Sequence, residues 1–323
     1  MPTMFRLLLK KYSNESLLLF VACGFMLLLF PWVRIWTVSQ FELSGFAPLI
    51  EQLRAFERFS PVPIEKYLTY SGVVGLTFDE PVLILCILVW SISRGSDLVS
   101  GELGRGTMEM LMAQPISRLQ IVTAHMVVSV SGLAILVLLS YIGLYFGIMT
   151  NSVPVTETAT LRLPMLPFEV TNPFLDSTKT FVPLSNYIQP SLYIPACLNL
   201  FGLGFFVLSL SVCMSSWDQY RWRTIGVVIG IYVLQILLFI LGKATPGLAW
   251  VMAFSILAAY QPDWIIQRVN DDPSLGWSFI DSVSAGGYPI GPLGFTSILC
   301  GCGLALYLLG TFLFCKRDLP APL

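Results

Sequence analysis

The chain is 323 residues long, 55% hydrophobic and only 11% charged, with a net charge of −1. Soluble domains carry about 25% charged residues, so a mean hydropathy of +0.77 excludes that class and points to a polytopic membrane protein. The near-neutral balance also excludes nucleic acid as a partner, and leaves each charge to be judged by its position.

Residues 1–15 form a basic lead with Arg6, Lys10 and Lys11, and Met4, Phe5, Leu7, Leu8 and Leu9 suit a helix lying in the membrane interface. The first span, 16–36, is uncharged until Arg34 and long enough for a hydrocarbon core of about 30 Å. Pro31 is placed to kink or end it, and no small-residue cleavage site follows, so the span is read as uncleaved. Residues 37–71 then leave the membrane. Phe46, Leu49, Ile50, Leu53 and Phe56 share one face there, which predicts an amphipathic helix on the outer surface.

The second span ends near 93 and begins at either 72 or 81, because Asp79-Glu80-Pro81 interrupts the apolar pattern. Pro81–Trp90 is too short to cross alone, so the helix should continue past Arg94 toward Leu98. A polar island, Gly101 to Arg118, comes next. Thr107 can cap a short helix, Glu109 suits its first turn, and Pro115 forbids its continuation. Met108, Leu111 and Met112 line one adaptable apolar face with no obvious core of this chain to bury it, which suggests a docking element. Ser117 with Gln120 makes a capping box, with Ile116 and Ile121 as its hydrophobic staple. The third span, 119–149, starts there and is long enough to tilt or project.

Residues 150–190, rich in Thr, Val and Pro, read as an external loop with room for short strands. In the fourth span, 191–214, Gly202 and Gly204 allow close helix approach. A second polar island, Ser215–Thr224, reads as an interfacial belt of Trp, Tyr and Arg. Asp218, Arg221 and Arg223 are alternatively a second cytoplasmic contact, or a brace in which Asp218 pairs with an arginine. After the fifth span, 225–241, the apolar stretch Leu248–Tyr260 has thirteen residues and should be re-entrant or interfacial. A polar loop leads from Pro262 to Pro292, and the sixth span is 293–315.

Ten of the eighteen basic residues (Arg6, Lys10, Lys11, Arg94, Arg105, Arg118, Arg221, Arg223, Lys316 and Arg317) fall on one side of a six-span arrangement, on the shorter segments. The positive-inside rule makes that side cytoplasmic, with both termini there. No Gly-x-x-x-x-Gly-Lys-Ser/Thr loop is present to cradle ATP, and His125 is the only histidine, so neither a histidine zinc cluster nor a Ser-His-Asp triad is expected. His125 reads as a helix-end residue near the headgroups. The seven cysteines lie in or beside apolar runs and read as soft hydrophobes, not metal ligands. The span centres carry no acid or base, which argues against proton relays, ion pumps and voltage sensors and for motion driven from elsewhere or the handling of an apolar molecule.

The run Gly-Glu-x-x-x-Gly-Thr-x-Glu-x-Leu-x-x-x-Pro-x-Ser-Arg resembles the first cytoplasmic loop of ABC-2 type transporter permeases, the membrane subunits of ATP-binding cassette exporters. The matching positions are Glu102, Gly106, Thr107, Glu109, Leu111, Pro115, Ser117 and Arg118. The resemblance implies a coupling helix seated in a groove of a separate ATPase subunit, with ATP and Mg²⁺ on that partner and no catalytic residue or cofactor on this chain. It implies a homodimer or a heterodimer with a similar permease, in the inner (cytoplasmic) cell membrane. Many members place a Lys about where this chain has His125, so no role carries over to that position. The expected architecture is one all-α polytopic domain over 1–323: six transmembrane helices, a cytoplasmic coupling helix between the second and third, and short external or re-entrant helices. Two other functions stay open. One is a membrane-embedded enzyme acting on lipid-linked substrates, for which only Asp79-Glu80 and Asp271-Asp272 offer clustered acids. The other is a force-transmitting subunit without a translocation path.

Overall fold

A computed structural model describes residues 2–41, 63–67, 69–157, 160–161, 170–171, 178–281 and 289–317. Its first element, α1 (Pro2–Ser39), is one helix of 38 residues with Pro31 inside it. The expected division into an interfacial lead and a span does not occur. Nothing between Lys11 and Ser16 stops a helix, and Leu8 and Tyr12 are buried with Leu98, Met108 and Ile121 in a cluster of their own. At 1.5 Å per residue the 38 residues reach about 57 Å, well beyond a bilayer core. The amphipathic helix expected around Phe46 to Phe56 lies outside the described residues.

The second crossing is composite. Thr69 caps α2 (Tyr70–Gly75), its hydroxyl accepting from Gly72 N at 3.1 Å, and a 3-10 turn Leu76–Phe78 follows. After a break at Asp79 and Glu80, α3 (Pro81–Ser96) starts on a proline, whose missing N–H costs nothing in a first turn. Of the two expected starts, Pro81 therefore opens the uninterrupted helix. The helix does not stop at Leu98: it passes through a π-helical turn, Asp97–Gly101, into a last turn, Glu102–Gly104. Arg94, Asp97 and Glu102 thus belong to the near end of a crossing helix, beyond its apolar centre.

Beyond the short helix α4 (Thr107–Met112), α5 runs from Arg118 to Thr150 on the predicted capping box: Gln120 N donates to Ser117 Oγ at 3.3 Å and Ser117 N to Gln120 Oε1 at 3.1 Å. Strands β1 (Ser152–Glu157) and β4 (Thr178–Pro183) pair antiparallel, with Val153 opposite Val182, and β2 (Thr160–Leu161) pairs with β3 (Val170–Thr171). Helix α6 (Ile194–Trp217) is the core of the bundle: 78% of its apolar stretch is buried, against 11% for α7 (Arg221–Ala244). The predicted close approach is present at both glycines. A Cβ on Gly204 would stand 2.7 Å from Leu133 and 2.8 Å from Ile87, and one on Gly202 would stand 3.1 Å from Leu299.

After α7 the chain does not cross. Pro246–Phe254 and Ile256–Ala259 are 3-10 helices, as a re-entrant or interfacial segment requires, and nine residues at about 2 Å each cannot span a bilayer. The polar loop expected from Pro262 is instead largely helical. Helix α8 (Pro262–Asp271) buries Ile265, Ile266 and Val269 on one side, and a 3-10 turn Pro273–Trp277 follows. The last helix is α9 (Pro292–Lys316). Among the described residues, six helices are long and apolar enough to cross a membrane, so the chain is an all-α multi-pass membrane protein.

Cross-links between elements assign the ends. Lys11 meets Glu102, Ser100 meets Ser215, and Arg118 reaches the carbonyls of Phe314 and Cys315, so these termini share a near end. Trp32 bonds Thr150, Arg34 bonds Val73 O, and Asn199 bonds Ala259 O at the far end.

Candidate functional site

The polar island between the second and third crossings sits at the near end. Its helix α4 is not capped by Thr107. Gly106, at φ +69°, is the residue before the helix and the only described one with positive φ, and no side chain caps it. The Thr107 hydroxyl points back and donates to the Glu102 carboxylate, with the Glu102 carbonyl also 3.2 Å away. Glu102 is fully buried, so Thr107 is better used satisfying that charge than satisfying a helix end.

Glu102 also holds Lys11 Nζ at 2.5 Å and Arg105 Nη2 at 3.2 Å. One turn earlier, buried Asp97 accepts hydrogen bonds from Arg105 at 2.7 Å and Arg94 at 3.3 Å and forms an ion pair with Arg221 at 3.4 Å. Lys11 further reaches Glu15 at 3.7 Å. The result is a charge network of three acids and four bases at the junction of α1, the second crossing and the start of α7. Removing Asp97 would leave Arg94, itself buried, charged and unpaired, at a cost of about 3–5 kcal/mol, whereas Lys11, Arg105 and Arg221 are partly exposed and lose less. The polar lining extends into the π-turn, whose Val99 and Ser100 N–H groups donate to Ser215 Oγ at 3.2 and 2.9 Å, while the Thr224 and Ser100 hydroxyls are 3.1 Å apart.

The apolar face expected to await a partner is instead internal. Met108 and Leu111 are buried among Leu8, Leu98, Ile121 and Phe314, so α1, the second crossing, α5 and α9 supply the cover that the local pattern does not reveal. Glu109, Met110, Ala113, Gln114 and Pro115 face outward, and Met110 is 70% exposed. The helix ends at Met112, before Pro115.

His125 is fully buried within the near-end cluster, two turns into α5. Its ring stands edge-on to Tyr12 at 5.2 Å and its Nδ1 is 3.3 Å from Ser129 Oγ. Because α5 extends past the bilayer core, a residue near its start falls inside the near-end cluster. Arg118 closes the C-terminal end of α9, its Nη1 donating to Phe314 O at 2.9 Å, Cys315 O at 3.2 Å and Arg317 O at 2.6 Å, which fills orphan carbonyls.

In the second island, Arg223 pairs with Asp218 at 3.4 Å, as the brace reading expects, while Arg221 joins the Asp97 network and also bonds Ser93 Oγ at 3.2 Å. Of the residues singled out, Glu102, Thr107 and Arg221 thus converge on one network, Leu111 is core, Ser117 and Arg118 hold helix ends, and Glu109 and Pro115 lie on the outer surface. Sequence reasoning does not assign Lys11, Arg94, Asp97 and Arg105 to this network. The signal for them is the three-residue spacing of Arg94–Asp97 and Glu102–Arg105, which pairs opposite charges if the helix continues through the island. Neither any protein-family model nor any curated protein matches this chain.

Proposed function

We propose that this chain is the membrane permease subunit of an ATP-binding cassette exporter of the ABC-2 type, worked by a separate ATPase subunit that carries ATP and Mg²⁺. The observation that carries the reading is the mounting of α4. Its inner face is anchored among four crossing helices, its first residue is tied to Glu102, and its outer face presents Glu109, Met110 and Gln114 for a partner. A helix held this way moves as a lever. Displacement of its outer face would pass through Thr107 and Glu102 into the second crossing, and through Pro115 and the capped Ser117 into α5. The π-turn at Asp97–Gly101 is a natural hinge on the first route, since such turns interrupt the regular helix ladder.

The basic residues clustered at the near end favour a cytoplasmic location for α4 and both termini, in the inner cell membrane. Exporters of this kind use two membrane halves, and the bare apolar surface of α7 (Val233, Leu234, Leu237 and Leu241 among its exposed residues) leaves room for a second permease beside lipid. The apolar middle of the bundle suits a lipophilic or amphipathic cargo. The enzyme alternative is weakened because three of its four acids are already engaged: Glu80 with Arg34 at 3.0 Å, Asp271 with Lys66 at 2.7 Å, and Asp272 with Ser274 N at 2.9 Å.

The test is to purify the chain from its native membrane and assay ATP hydrolysis in the complex. An ATP-binding subunit whose activity depends on this chain, and is lost with Met110→Glu, supports the proposal. No associated ATP hydrolysis overturns it. Transport into sealed vesicles then separates a permease from a subunit that only transmits force.

A further inference from the structure

We infer that the groove between the α6–α7 turn and the end of α9 is a binding site for an anionic membrane phospholipid. This rests only on the chain being a multi-pass membrane protein, not on the transporter reading. The groove has a volume of about 480 Å³ and is lined by Met214, Trp217, Asp218, Arg223, Val227 and Arg317, among others. It is built without help from a partner. Asp218 Oδ1 accepts from Gln219 N at 2.7 Å and Tyr220 N at 3.2 Å, which shapes the turn. Arg317 Nη1 ties that turn to α9 by donating to Ser216 O at 2.9 Å and Asp218 O at 3.0 Å.

The depth of the groove follows from its rim. Trp217 and Trp222 are 76% and 74% exposed at the near ends of two crossing helices, and such rings settle at the headgroup level. Arg223 and Arg317 are then at phosphate depth. Val227, one turn beyond Arg223 in α7, and Met214, about one turn back from the end of α6, are at the depth of the first acyl carbons. An occupant must therefore be anionic at one end and apolar at the other within a single groove. Among the described residues, two guanidinium groups face one carboxylate, whose oxygens are already engaged by the turn's N–H groups and by Arg223, so the charge these groups leave unbalanced is positive. A soluble protein could cover the arginines but not the wall that lies in hydrocarbon. A phospholipid with a net negative headgroup matches both halves.

The test uses the full chain in nanodiscs of phosphatidylcholine doped with phosphatidylglycerol, with retained lipid counted by native mass spectrometry. The wild type should keep phosphatidylglycerol in preference to phosphatidylcholine, and Arg223→Gln should weaken that retention about fivefold, as expected for one arginine at an anionic surface. Arg223→Lys should restore most of it. Lys66→Gln, at the far end, should leave it unchanged, and a matched melting temperature for all variants shows that they are folded. Equal retention of the two lipids, or retention indifferent to Arg223→Gln, overturns the assignment. Displacement of the lipid by inorganic phosphate also overturns it, because the apolar wall would then contribute nothing.

Discussion

Lys11 Nζ lies 2.5 Å from Glu102 Oε1, an ion pair closed across 91 positions of sequence with the carboxylate fully buried. It fastens the start of the first crossing to the end of the second, beside the helix proposed to receive work from a partner. Replacing Glu102 with Ala should therefore leave Lys11 with Glu15 and Arg105 with Asp97 as their remaining partners, and lower stability by about 1.5–3 kcal/mol. The double variant Lys11→Met/Glu102→Leu should recover a large part of that loss. Chemical denaturation in detergent micelles measures both, and equal loss in the single and double variants would show that the pair contributes little.

Gly106 stands at φ +69°, and a Cβ added to it would meet nothing within 4 Å, so a substitution there incurs backbone cost alone. Gly106→Ala should lower stability by about 1–2 kcal/mol, and Gly106→Asn by less, because Asn tolerates the left-handed region. Identical melting curves for Gly and Ala would contradict this geometry.

Met108 and Met110 are two residues apart and face opposite ways, one buried and one exposed. Met108→Ala should cost about 2–5 kcal/mol, as for a buried large-to-small change, while Met110→Ala should stay within about 0.5 kcal/mol. Leu111→Asp would unfold the near-end cluster and is no clean probe of docking. Met110 and Glu109 are the positions at which lost coupling can be separated from lost folding.

Much of this is legible in the sequence. Five apolar runs of crossing length announce themselves, the second crossing follows once its helix is extended past Arg94, and the Ser117–Gln120 box is readable because capping is local. What cannot be read depends on distant partners. The Met108–Leu111 face looks uncovered in the sequence because its cover comes from Leu8, about a hundred residues earlier, and from Phe314, some two hundred later. Thr107 has the chemistry of a cap, yet a buried carboxylate five residues back claims its hydroxyl. Helix α8 reads as a loop because its few apolar residues are diluted by Asp263, Gln267, Arg268 and Asn270. Its apolar residues Ile265, Ile266 and Val269 do recur at helical spacing, so the signal is present, but the low overall hydropathy of the segment hides it.

Asp263, at the start of α8, is buried and accepts from the Tyr67 hydroxyl at 2.9 Å. Burial holds its carboxyl above the usual range, against the opposing pull of hydrogen bonds from Asp79 and Tyr67 and of the charges on Lys243 and Arg34. A raised folded-state pKa means that the native protein holds this proton more tightly than the unfolded chain does. Its stability contribution is therefore full below the ordinary carboxylate value and declines as pH rises to the raised one. Melting temperature should fall over that window in the wild type and fall less in Asp263→Asn. Parallel pH profiles would place the dependence elsewhere.

The most direct measurement is the sidedness of the α4 turn. In a background lacking the exposed Cys302 and Cys315, a cysteine at Gly104, where a Cβ meets nothing within 4 Å, reports it by reaction with a membrane-impermeant maleimide. A cytoplasmic ATPase-coupled helix predicts no labelling of intact cells and full labelling after permeabilisation. Labelling from outside intact cells would contradict the account.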